Sequence, residues 1–108
     1  MINGNLTKER WFSLSFLDQM ANIGCEVERI INWRIKHPDR SKLAIEGSLE
    51  LLDLTISDKK NHLPATLKEL CRVREVMVDY FMFDNIYGSS DKKWNDYFYS
   101  FNYSANNT

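Results

Sequence analysis

The sequence predicts an all-α fold, an antiparallel up-down-up-down four-helix bundle with a long first helix and a short aromatic last helix. Three observations carry that expectation. Apolar residues recur at helical period over residues 8 to 36, 39 to 58, 65 to 84 and 91 to 103. Turn residues interrupt the pattern three times, at His37-Pro38, at Asn61-His62-Leu63-Pro64, and from Asp84 through Gly88 to Ser90. Strand-like alternation is almost absent between them, and short connections place successive helices antiparallel.

The first helix is expected to start after Thr7, whose hydroxyl can cap free amides, with Glu9 in its first turn. Phe12, Phe16, Met20, Ile23, Val27, Ile30 and Ile31 project as one stripe. Ala21, Gly24 and Cys25 lie beside it, a small-residue strip where a neighbour can come close. Pro38 ends the helix by disfavouring helical geometry at His37. At ~1.5 Å per residue this helix would span about 43 Å, against about 30 Å for the second and third and about 20 Å for the last. The overhang carries Trp11, Phe12 and Phe16, poor residues to leave in water. A homo-oligomer, a dimer above all, is expected to bury them, with Tyr99 and Tyr103 as further candidates for the seam.

In the second helix, from Pro38 or Asp39 to about Asp58, leucines and isoleucines cover roughly two-thirds of the circumference, more than one neighbour can bury. Only Asp39, Glu46, Glu50 and Asp53 form a narrow polar wedge. Pro64 suits the first turn of the third helix, where Leu67, Leu70, Cys71, Val73, Met77, Val78 and Phe81 face inward. Lys68, Arg72, Glu75 and Asp79 are expected to face water. Ser89 or Ser90 caps the last helix, in which Trp94, Tyr97, Phe98, Phe101 and Ala105 share a face.

At 108 residues the chain reads as one helical domain, 1–108, with frayed ends at about 1–6 and 105–108. Residues 1 to 7 lack a signal-peptide pattern, and no apolar stretch approaches the ~18 residues of a membrane span. A cytoplasmic protein away from membranes is expected. Cys25 and Cys71, both inside helical patterns, read as reduced core residues. A net charge of −1 with mixed signs offers no field to gather nucleic acid, so no nucleic-acid partner is expected.

Two groups of residues stand out from a plain bundle. Arg74 falls within the apolar arc of the third helix and Glu28 on the tighter face of the first; the two are expected to form a buried polar pair. Glu46, Glu50 and Asp53, spaced four and three, line one helix face, the arrangement a Mg²⁺ ion needs. Glu50-Leu51-Leu52-Asp53, with Glu26-Val27-Glu28 on another helix, resembles the metal-binding helices of the all-helical nucleotide pyrophosphatases related to MazG. The denser acidic run of that family's first helix is missing here, and no basic residues follow for the phosphates. His37 and His62 fall at opposite ends of the bundle, and no cysteine or serine has a local base. The Arg-to-His spacing of HEPN-type ribonucleases is absent.

The run Leu67-Lys68-Glu69-Leu70-Cys71-Arg72-Val73-Arg74-Glu75-Val76 and the closing segment from Asp84 to Tyr103 are similar to small uncharacterised all-helical proteins of bacteria and archaea, to which no function attaches. That resemblance implies that Asp84, Asn85, Tyr87, Asp91, Trp94 and Asn102 belong to one polar and aromatic cluster at the third turn. The plainer reading has Asp84 and Asn85 capping the third helix and Trp94 closing the core. The expected function is a non-enzymatic, self-associating helical protein-interaction module without catalytic residues or cofactor. The alternative is a Mg²⁺-dependent hydrolase of nucleotides or related phosphorylated small molecules, using Glu46, Glu50 and Asp53 with Arg74 near the phosphate.

Overall fold

Two serines break the first apolar run. The structure, a computed structural model, describes residues 8–106 and side chains as far as Ser104. In place of one long helix over residues 8 to 36 it contains α1 (Lys8–Phe12) and α2 (Phe16–Trp33). Ser13 Oγ donates to the Arg10 carbonyl at 2.6 Å, and Ser15 Oγ accepts the Asp18 amide at 3.1 Å to cap α2. Short hydroxyl side chains offer the backbone local partners that compete with a continuing helix. The chain continues as α3 (Pro38–Ser57), a 3₁₀ turn (Lys59–Asn61), α4 (Pro64–Met82) and α5 (Asp91–Asn106). The all-α class stands, with five α-helices among the described residues instead of four. The Thr7 cap, the fraying expected over 1–6 and the last two residues lie outside the described residues, whereas 105 and 106 still belong to α5.

The break turns α1 back against α3 and removes the overhang. Trp11 is 2 % exposed, and its Nε1 donates to Thr55 Oγ1 at 3.0 Å. Buried Gln19 donates to the Trp11 carbonyl at 3.1 Å and to Asp58 Oδ2 at 2.9 Å, while Asn61 Nδ2 donates to Gln19 Oε1 at 2.9 Å. Burial alone would push the Asp58 carboxyl up, but hydrogen bonds from Lys60 and Gln19 outweigh it and hold the group below the usual carboxylate range. Every amide and indole donor named here has an acceptor, so this buried network is a specific latch rather than a liability. Of the three proposed overhang residues, Trp11 is therefore core. Phe16 is half-buried, edge-on to Phe101 at 5.9 Å, and Phe12 alone stays at the surface.

α2 is the central element and packs against α3 on one side and α5 on another, while α4 leans on α3. Met20, Ile23, Val27, Leu52, Leu70 and Met77 make the fully buried centre. α3 buries a narrow stripe, Ser41, Ala44, Ser48, Leu51, Leu52 and Thr55, in place of two-thirds of its circumference; Leu43 is exposed. Its small residues let α2 approach closely, which leaves the flanking leucines at the margins. Both cysteines are exposed free thiols, not core residues. No helix among the described residues is long and apolar enough to cross a membrane.

Of the small-residue strip on α2, Gly24 lies against α5 and Ala21 is buried, whereas Cys25 is exposed. A Cβ built on Gly24 would lie 2.9 Å from Phe98 Cβ, closer than unbonded carbons tolerate, and the near end of a side chain cannot swing aside without moving α5. Gly24→Ala is expected to lower stability by about 1–2 kcal/mol in urea unfolding, although alanine is the better helix former. A neutral or stabilising result would mean that α5 does not sit on α2 in this way.

Candidate functional site at the turn between the last two helices

The turn from residue 83 to residue 90 is held by a side chain that helical periodicity assigns to solvent. Asp79, in the last turn of α4, is buried, and its carboxylate accepts the Ile86 amide at 2.9 Å and the Tyr87 amide at 3.1 Å. The Asp79 carbonyl accepts from Phe83 and Asn85, both at 3.2 Å. Asn85 takes the left-handed conformation (φ 56°), which asparagine tolerates, and clasps Ser89 through both ends of its amide, at 2.8 and 3.1 Å. Gly88 follows at φ 64°, and Ser90 Oγ accepts the Lys93 amide at 3.1 Å to start α5, as expected of a serine there. Asn85 and Ser90 were legible as turn and cap residues, whereas Asp84 is exposed and Asp79 does the work assigned to it.

This rigid turn displays oily side chains. Met82, Phe83, Ile86 and Tyr87 are each more than half exposed, and a shallow groove runs between Val78, Phe83 and Ile86 with Glu75 and Asp84 at its edge. The Tyr87 hydroxyl donates to Glu75 Oε1 at 2.9 Å, and that carboxylate pushes the phenol pKa up.

On the other side of Tyr87, α4 and α5 flank a cleft of about 440 Å³. Val73, Val76 and Trp94 supply its apolar walls, and Glu69, Arg72 and Lys93 its charges. Trp94 is 5 % exposed, its ring stacked between Phe81 at 6.4 Å and Phe98 at 6.0 Å, so it closes the core as expected. Its Nε1 has no acceptor, and the buried Tyr97 hydroxyl has no partner either. Burial pushes the Tyr97 phenol well above its ordinary pKa, and the nearby Glu69 carboxylate adds to the effect. Lys93 Nζ donates to the Gly88 carbonyl at 3.0 Å, whereas Arg72 makes no ion pair among the described residues.

The polar cluster expected at this turn is thus real in part, but it divides. Asp91 turns away from the cleft to Arg34, 2.7 Å from each carboxylate oxygen, and to the Tyr80 hydroxyl at 2.6 Å. That triad ties the ends of α2 and α4 to the start of α5. Asn102 lies with Glu28 on a smaller cleft of about 190 Å³ between α2 and α5.

The other predicted sites are rearranged. Arg74 pairs with Asp53, Nε to Oδ1 at 2.6 Å and Nη2 to Oδ2 at 3.3 Å, and not with Glu28, which is exposed. The reason is adjacency: α4 packs chiefly on α3. An ion pair this open to water contributes about 0.2–1 kcal/mol. It also engages both oxygens of Asp53, one of the three proposed metal ligands, while Glu46 and Glu50 face solvent. Among the described residues no three His, Cys, Asp or Glu side chains are grouped to hold a metal ion. In comparisons with known proteins the chain matches no family model, no curated protein and no solved structure.

Proposed function

We propose that the protein is a non-enzymatic, self-associating helical interaction module, and that its docking surface is the α4–α5 turn. The observation that carries this reading is the exposure of Met82, Phe83, Ile86 and Tyr87 on a backbone clamped by Asp79 and Asn85. An apolar loop left to itself would collapse or fluctuate. A clamped one has already lost the entropy that binding would otherwise remove. The occupant is a second copy of this chain. The patch is flanked by both signs of charge, Glu75 and Asp84 on one side of Tyr87 and Arg72 and Lys93 on the other. A two-fold pairing can set these opposite one another. The net charge of −1 opposes association only weakly.

Trp11 leaves the proposed seam, while Tyr99 and Tyr103, exposed one turn apart on α5, stay in it as secondary candidates. Two exposed free thiols suit a reducing compartment and favour the cytoplasm. The Mg²⁺-dependent hydrolase alternative would first have to detach Asp53 from Arg74.

Sedimentation and light scattering over a wide concentration range test the proposal. Wild type is expected to approach twice the monomer mass, and the Phe83→Ser/Ile86→Ser double variant to remain monomeric with unchanged helicity. Leu63→Ser, an equally exposed apolar position at the start of α4, is the control and should dimerise like wild type. A wild type that stays monomeric at every concentration, or a double variant that dimerises normally, overturns the reading.

A further inference from the structure

We propose that the cleft between α4 and α5 is a binding site for a small aromatic monocarboxylate, its anionic head at Arg72 and Lys93 and its flat body against Val73, Val76 and the edge of Trp94. Arg72 and Lys93 also flank the proposed self-association surface, so the test below includes a variant expected to stay monomeric.

At about 440 Å³ the cleft falls within the size range of small-molecule sites, and it has the usual mixture of apolar wall and few polar groups. Buried donors without acceptors are rare in folded proteins, and two of them, Trp94 Nε1 and the Tyr97 hydroxyl, belong to residues that line this cleft, Trp94 bordering the smaller cleft beside α2 as well. Tyr97 borders this cleft and not the smaller one beside α2, and its buried hydroxyl lies near Glu69, which also lines the cleft. A phenol is protonated at neutral pH and donates, which selects an acceptor.

The charges point the same way. The Arg72 fork is unengaged, and Lys93 is held at the mouth by Gly88, so its cation does not wander. Two cations face the single anion Glu69, giving a local excess of positive charge in a protein whose net charge is negative. A planar carboxylate matches the guanidinium fork. A dianionic phosphate would be repelled by Glu69 more strongly than a monocarboxylate.

Titration of the full chain with benzoate, followed by the indole N–H resonances in ¹H–¹⁵N spectra, tests this directly. Trp94 is expected to show a saturable shift, while the Trp11 indole, already bonded to Thr55, stays fixed and reports an intact fold. Benzamide, isosteric but neutral, should bind at least about tenfold more weakly, and Arg72→Gln should weaken benzoate by about fivefold or more. The Phe83→Ser/Ile86→Ser variant should bind benzoate like wild type, which separates this site from the self-association surface. No saturable shift of Trp94, equal binding of benzamide, the same shifts from inorganic phosphate, or undiminished binding by Arg72→Gln would each overturn the proposal.

Discussion

Trp11→Ala is expected to destabilise the protein by about 3–5 kcal/mol, a large share of the ~5–15 kcal/mol that holds a typical domain together. Truncation would empty a site that is 2 % exposed and remove the indole that bonds Thr55. Trp11→Phe keeps most of the buried area and should lose about 1–2 kcal/mol, because Thr55 then lacks only one of its partners. A single straight helix over residues 8 to 36 would leave Trp11 at the surface, where alanine changes stability by about 0.5 kcal/mol or less. Urea unfolding therefore decides between the two arrangements. Asp58 gives the latch a pH signature. Its folded pKa is depressed, so its contribution is complete above the unfolded carboxyl value of about 4 and is lost as pH falls through the folded one. Asp58→Asn should remove that part of the acid transition.

Helical periodicity located most of the chain because burial on this fold follows one side of each helix. Pro38 and Pro64 stand at the first positions of α3 and α4, and Ser90 caps α5, as local chemistry requires. The missed break at Ser13 to Ser15 was also written in the chain: Ser15-Phe16-Leu17-Asp18 is a helix-start signature, obscured because the apolar stripe runs through it in phase. Pairing was harder. Arg74 needed an acceptor, but whether Glu28 or Asp53 supplies it depends on which helix α4 lies against, and that is a property of tertiary packing. Asp79 gave no signal at all. Its projection matches that of exposed Arg72, and the amides it serves lie beyond the end of the helix. Periodicity describes a helix as an infinite cylinder and says nothing of what waits at its ends.

Asp79→Ala is accordingly expected to reveal more than a loss of stability. The Ile86 and Tyr87 amides would lose charge-assisted bonds at 2.9 and 3.1 Å, for about 2–3 kcal/mol in all, less whatever water recovers at this partly open turn. Asp79→Asn, which keeps an accepting oxygen without the charge, should fall between. The distinguishing readout is local. Amide exchange at Ile86 and Tyr87 should accelerate far more than exchange in the α2 core, because the turn opens while Met20, Ile23 and Val27 stay packed. Self-association should weaken in proportion, since Phe83 and Ile86 remain in the chain but are no longer held in one arrangement. If the variant loses stability while those two amides stay protected, the carboxylate is not what fixes the turn. If they are released and association is undiminished, pre-organisation is not what makes this surface adhesive.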